Sequence, residues 1–232
     1  GKKQNVHMSF ECQYCKKSFK REKTLSVHLC EQKRRHLNRD AKYVRLGHIA
    51  YNQFYKLTQG IKTKDKSYEE FSKSKYYTAF TKFGRHILDI NAIDPEKFID
   101  FVINNSVHLD KWCSDAVYET YIRELNKKET AERAIERGIL LMQQWGREHD
   151  RPFNVFFREI SKPRLIHWIK SGRISPWIIF NCYSCSEAMA NLNEHELNLI
   201  NEHLEPTFWT NKFSTRQDDV KFVNEVLERA GL

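Results

Sequence analysis

Glycine is scarce, with eight residues in 232, and none of them builds a phosphate-cradling loop. The sequence also has no HExxH pair and no nucleophile elbow. Without glycine loops at strand ends there is little to position a reacting group, so neither an enzyme nor a small-molecule substrate is expected. Glu148, His149 and Asp150 crowd one charged turn, but such a turn reads as solvated surface. No apolar run approaches the roughly twenty residues of a membrane span, and no signal peptide is visible; no membrane partner is expected. Six cysteines do not space themselves as a disulfide framework, so a reducing compartment is expected, cytosol or nucleus.

What the sequence does contain is concentrated at Phe10 to His36, FECQYCKKSFKREKTLSVHLCEQKRRH. Cys12 and Cys15 are two residues apart, which sets two thiolates on one knuckle. Phe19, Leu25 and His28 follow at the intervals of a hairpin and then a helix that brings imidazole to a metal. Through its first three ligands the stretch resembles the zinc-finger family with two Cys and two His ligands. One Zn²⁺ per chain is therefore expected. The family's second His is replaced: Gln32, Lys33 and Arg34 stand where it would fall. Cys30, one residue beyond His28, and His36, seven beyond, are the alternatives. On an unbroken helix His28 and His36 would lie about 12 Å apart along the axis. Cys30 is within reach if the helix ends near Leu29, and it is the favoured fourth ligand.

The surplus positive charge also lies early. Residues 1–47 carry thirteen Lys and Arg against four Asp and Glu, and residues 1–85 carry twenty-one against seven; residues 86–232 carry eighteen against twenty-three. A basic first half beside a finger fits a polyanion, nucleic acid before others. Lys20, Arg21 and Thr24 on the finger, with Lys33, Arg34, Arg35, Arg39 and Arg45 along the segment after it, are candidate nucleic-acid ligands. The arginines form a phosphate-tracking strip rather than a base reader. Of the finger positions that usually face bases, Arg21 can bind guanine, whereas Thr24 and Val27 discriminate little. Lys73, Lys75, Lys82 and Arg85 alternate with Phe71, Tyr76, Tyr77, Phe80 and Phe83. Those aromatics are either a base-stacking surface or, more in keeping with helical spacing, a core stripe with a charged back.

Beyond the finger hairpin nothing alternates at period two, so the fold expected is mainly α. A ββα-type finger with a basic leader (1–36) precedes a basic linker (37–50) and an all-helical body in two parts (51–128 and 129–232). Helices are expected over Leu46–Leu57 up to Gly60, and from a Ser67/Glu70 capping box through Leu88. Others start at Asp94-Pro95, at the Ser175-Pro176 cap of a long apolar helix, at Asn193/Glu196 and at Ser214/Gln217. Cys182 and Cys185 would sit together inside the apolar helix as buried thiols rather than as a second metal or redox pair.

The order of YNQFYKL, KYYTAFTKF, FIDFVINN, Trp112 with Asp115, YETYIREL and LIHWIKSGRIS resembles the helicase-loading proteins of T4-like phages. That resemblance implies a non-enzymatic, two-domain helical adaptor in an infected host's cytoplasm. It would bind forked or junction DNA and engage a replicative helicase and a single-strand-binding protein. The finger has no place in that pattern. The rival reading is a zinc-finger transcription regulator whose helical body dimerises or binds RNA polymerase.

Overall fold

The computed structural model describes residues 8–232; the basic leader, residues 1–7, lies outside the described residues. The chain divides into two compact units, one ending at Cys113 and the other spanning Ser114–Leu232.

The first unit opens with a hairpin of β1 (Phe10–Glu11) and β2 (Ser18–Phe19), paired antiparallel with Phe10 opposite Phe19. Then come α1 (Glu22–Ser26), α2 (Glu31–Leu37), α3 (Lys42–Gln59), α4 (Tyr68–Lys73), α5 (Tyr77–Asp89) and α6 (Pro95–Asn104). The segment 37–50, expected as a linker, is mostly the first half of α3, where Val44, Gly47 and Ala50 are buried. Its charges sit on one face only, so a basic composition concealed an amphipathic helix. Gly60 ends α3 with φ +101°, a conformation that costs glycine nothing.

The Ser67/Glu70 capping box is formed in both directions. The helix expected to run from it to Leu88 instead breaks after Lys73. Ser74 turns extended and its hydroxyl accepts from the Tyr76 N–H at 3.1 Å, giving the backbone a local alternative to the helix. Phe71, Phe80, Phe83 and Phe98 are all but fully buried. Trp112 meets Phe83 and Phe80 edge-on, with centroids 5.0 and 5.5 Å away. The aromatics of this stretch are therefore core, apart from half-buried Tyr76, and they offer bases no continuous stacking surface.

α3 and α5 cross at two glycines. A Cβ on Gly84 would collide with the Tyr43 carbonyl, and one on Gly47 would come within 2.7 Å of the Phe80 carbonyl oxygen. Backbone meets backbone there, which fixes how the two longest helices of this unit pack. α6 starts at Pro95 as expected, but Asp94 makes no side-chain cap bond and adopts φ +45°.

The second unit comprises α7 (Asp115–Lys128), α8 (Ala131–His149), α9 (Phe156–Glu159), α10 (Lys162–Lys170), α11 (Pro176–Ile179), α12 (Tyr183–Ala190), α13 (Glu194–Leu204), α14 (Pro206–Thr215) and α15 (Gln217–Arg229). Its core includes Met142, Phe156, Trp177, Ile178, Trp209 and Val223. The boundary falls at 113/114, whereas 128/129 was expected, because α7 is tied into this unit. Glu119 pairs with Lys170 at 3.0 Å, Lys127 pairs with Glu205 at 2.7 Å, and Arg123 pairs with Glu202. Glu129, expected to open the second part, lies inside this unit. Its carboxylate, 3 % exposed, accepts both terminal nitrogens of Arg137.

Two further helix expectations are corrected. The long helix after Ser175-Pro176 is two short ones, α11 and α12, with Cys182 at the N-cap position between them. The last helix starts after Arg216, which makes no side-chain cap bond, while Ser214 lies inside α14 and donates to the Asn211 carbonyl at 2.8 Å. The Asn193/Glu196 capping box is complete. Gly231 takes φ +76° after α15, where a left-handed residue is needed. No helix of the described residues is long and apolar enough to cross a membrane.

Candidate metal centre and the clefts beside it

Cys12, Cys15, His28 and Cys30 place their ligand atoms within 4.8 Å of one another. The hairpin builds the first half of the cluster. The Cys12 N–H donates to the Lys17 carbonyl at 2.9 Å and the Lys16 N–H donates back to the Cys12 carbonyl at 2.8 Å. Lys16 closes the knuckle at φ +63°. Phe19, half-buried, lays its ring 4.7 Å from that of His28.

The second half departs from the expected finger. α1 stops at Ser26, two residues before His28, so the imidazole is presented by a turn and not by the helix. Cys30 follows at once as the N-cap of α2, its sulfur accepting from the Lys33 N–H at 3.4 Å. One residue thus closes the cluster and opens the next helix. His36, the alternative fourth ligand, is outside the cluster: it lies on α2, its ring 5.1 Å from Tyr14 and its Nε2 2.8 Å from Arg39. A helix start at Glu31 carries it away from the other ligands.

Two edges of the cluster match those of a tetrahedral ion. With metal–sulfur bonds of about 2.3 Å, the edges of such a site are about 3.8 Å between sulfurs and slightly less between sulfur and nitrogen. Cys12 Sγ and Cys30 Sγ are 3.9 Å apart, and Cys15 Sγ is 3.3 Å from His28 Nε2. Backbone N–H groups, that of Cys15 first, hold the Cys12 thiol below its ordinary value. For Cys15 the Lys17 amide pulls the same way, but burial and the neighbouring thiols outweigh it and push that group up. Packing four donors together without charge compensation is unfavourable, and a divalent cation relieves it. This cluster could hold a metal ion.

The second Cys pair has none of this. Cys182 and Cys185 are buried, Cys182 Sγ has Ser184 Oγ at 3.4 Å, and burial pushes the Cys185 thiol well up. They are core thiols. Among the described residues, Cys12, Cys15, His28 and Cys30 are the one group of His, Cys, Asp or Glu with ligand spacing.

The expected phosphate strip is not continuous, because α2 sorts its cations to two sides. On one side Arg34 and Arg35 meet Lys82 and Arg85 of α5 in a cleft of about 360 Å³ that Tyr43 and Tyr77 also line. The Arg85 guanidinium lies over the Tyr43 ring at 4.0 Å and that of Arg35 over Tyr77 at 4.2 Å. Arg35 is largely committed to structure: it donates to the Ser72 carbonyl at 2.7 Å, pairs with Glu31 at 3.0 Å and is only 16 % exposed in its side chain. Arg34, Lys82 and Arg85 are exposed.

On the other side of α2, Arg39 and Lys73 line a second cleft with Tyr14 and His36. Arg45 pairs with Asp40 at 3.4 Å, and Lys33 Nζ donates to the His28 carbonyl at 3.1 Å. Lys75 lies over the Tyr76 ring at 5.1 Å. Lys20, Arg21 and Thr24 are exposed on the finger, with Arg21 at the N-cap of α1. Sequence reasoning missed Tyr43 as a wall of the cationic cleft, and had Tyr77 only among the aromatics of a stacking surface or a core stripe. No spacing pointed there, because the arginine over each ring comes from another helix, Arg85 over Tyr43 and Arg35 over Tyr77.

No protein-family model, no curated protein and no solved structure matches the chain. The expected resemblance of the body to phage helicase loaders is not supported by any of these comparisons.

Proposed function

We propose that this protein is a non-enzymatic DNA-binding replication accessory factor of the helicase-loader kind, carrying one structural Zn²⁺ on Cys12, Cys15, His28 and Cys30. Zinc is the ion that best suits three thiolates and one imidazole in a closed tetrahedron, with no position left for a reacting water. The metal's part is to hold the knuckle and the start of α2 together.

The observation that carries the DNA reading is the cleft between α2 and α5. Arg34 and Lys82 are far apart in sequence, yet they line one cleft with Arg35 and Arg85. Convergent cations at the edge of an aromatic wall suit a sugar–phosphate backbone, and tracking phosphates needs no base contact. The exposed ion pairs around it, such as Arg34 with Glu31 at 3.8 Å, are weak and yield to a phosphate. Residues 114–232 carry sixteen Lys and Arg against eighteen Asp and Glu; without a basic surplus the second unit is left to protein partners, a hexameric helicase and a single-strand-binding protein in this reading.

Binding to forked, duplex and single-stranded oligonucleotides at matched salt tests it, together with co-sedimentation with a hexameric helicase. Fork preference with helicase capture is the expected result. DNA binding with capture of RNA polymerase instead would move the protein to the regulator class, and absence of DNA binding would end the reading.

A further inference from the structure

The second cleft beside α2 is a different kind of surface from the cationic one. It encloses about 690 Å³, within the range of sites that enclose small molecules and far too little for a duplex. Its walls come from three places: the two residues inside the metal knuckle, Gln13 and Tyr14; the far side of α2, with Gln32 and His36, and Arg39 in the turn after it; and α4, with Lys73.

These side chains fall into the three classes that recognise a nucleotide. Gln13 and Gln32 carry primary amides, each offering a donor and an acceptor side by side, the pattern that pairs with a base edge. Tyr14 and His36 present rings 5.1 Å apart and inclined by 42°, and an unpaired base can stack on either. Arg39 and Lys73 supply positive charge. Glu69, also in the cleft, pairs with Lys73 at 3.4 Å; it tempers that charge and can accept from an exocyclic amino group. We infer that this cleft receives one unpaired nucleotide of a DNA strand whose phosphates run through the cationic cleft on the other side of α2.

The inference rests on the DNA-binding reading and narrows it. A base inside a duplex has both faces covered by its neighbours, so the rings of Tyr14 and His36 are useful only to a base that has left the stack. Arg34, Arg35 and Asn38 face one cleft while Gln32, His36 and Arg39 face the other. One short helix thus separates a backbone-holding side from a base-holding side. The metal cluster fixes both of the cleft's inner walls, because Gln13 and Tyr14 lie between two ligands and α2 begins at the fourth.

The test uses the full chain loaded with zinc and two fluorescent DNA duplexes of the same sequence, one fully paired and one with a single unpaired 2-aminopurine. Wild type is expected to bind the second more tightly and to change the fluorescence of its unpaired base. Tyr14→Ala and Gln32→Ala should each lower affinity for the unpaired probe about tenfold while leaving the paired duplex within about twofold. Tyr14→Phe, which keeps the ring, should behave as wild type. Zinc content and melting temperature of each variant separate loss of the cleft from loss of the finger, and Gln32 lies outside the knuckle altogether. Equal affinity for the two probes in wild type overturns the inference while leaving DNA binding intact; so does a Tyr14→Ala variant that folds, holds zinc and binds the unpaired probe as wild type does. Failure of wild type to bind either probe removes the DNA reading and this inference with it.

Discussion

Cys30 Sγ lies 3.9 Å from Cys12 Sγ while also accepting the Lys33 N–H at 3.4 Å, so one sulfur serves a metal cluster and a helix start together. That double role gives a clean substitution. Cys30→Ser keeps an N-cap acceptor, and serine is among the best residues at that position, but it removes a thiolate. Zinc affinity should fall by more than the 10- to 100-fold that loss of a supporting partner costs, with α2 still formed. His36→Ala should leave zinc affinity unchanged. Competition with a chromophoric chelator measures both; the reverse pattern would reassign the fourth ligand.

The contact of α5 with α3 at Gly84 and Tyr43 predicts a sharp stability effect at a position with no polar chemistry. Gly84→Ala puts a methyl into the Tyr43 carbonyl, and backbone on both sides leaves no side chain to move aside. Overpacking of this kind costs about 1–3 kcal/mol. Gly60→Ala, at a position where a Cβ would meet nothing within 4 Å but φ is +101°, separates conformational strain from collision. Hydrogen exchange of the α3 and α5 amides in each variant reads the stability of the first unit separately from the second. A Gly84→Ala protein as stable as wild type would mean the helices can part at little cost.

Those two relationships mark what was legible in the sequence. CxxC followed at finger spacing by His was enough for three members of the cluster, and the helical limit on reach was enough to favour Cys30 over His36. The turn after Ser26 was not legible, because Val27, His28 and Leu29 carry no glycine, proline or aspartate to announce it. Helix-compatible residues continue across Ser74 and Cys182 as well, so two helices were each expected where the chain makes two shorter ones. The capping boxes at Ser67 and Asn193 were read correctly because their chemistry is local, whereas the start expected at Ser214/Gln217 is not formed. The linker expected at 37–50 shows the opposite error. Charge density dominated the composition, and the buried side of α3, with Val44, Gly47 and Ala50, was outvoted by it. The two clefts flanking α2 depend on tertiary approach of α4 and α5, which no spacing rule encodes.

His203 gives the second unit a pH dependence. It is 4 % exposed, and its Nδ1 has no hydrogen-bond partner. Burial first, then the positive charges of Arg123 and Lys170, depress its pKa below 6.5, while Glu119 and Glu202 act the other way. His167 is lowered too, by burial and then by Arg164, Arg173 and Lys170. A histidine depressed in the native state binds a proton in the unfolded chain first. Stability is therefore complete above the unfolded value and declines as pH falls from about 6.5 towards the depressed values. Thermal melts of the second unit at pH 7.5 and 5.5 should show a lower midpoint in acid. His203→Gln, which cannot charge, should shrink the difference; an unchanged difference would assign the acid sensitivity elsewhere.

The cationic cleft makes its own prediction, because phosphate contacts declare themselves through salt. Each phosphate neutralised on duplex DNA contributes about −0.9 to the slope of log K against log salt. Arg34→Ala and Lys82→Ala each remove one exposed cation from opposite walls of the cleft, so each should flatten the slope by about one. Neither should alter zinc affinity or melting temperature appreciably, since Arg34 has only a surface pair with Glu31 at 3.8 Å. Arg35→Ala should behave otherwise. Its guanidinium holds the Ser72 carbonyl at 2.7 Å and covers the Tyr77 ring at 4.2 Å, so its removal should lower the stability of the first unit as well as weaken binding. Charge-removing changes in the second unit, at Lys162 or Lys221, serve as controls and should leave the slope as it was. A slope that responds to Lys162 and Lys221 but not to Arg34 and Lys82 would put the DNA on the other unit and overturn the division of labour drawn from the charge distribution.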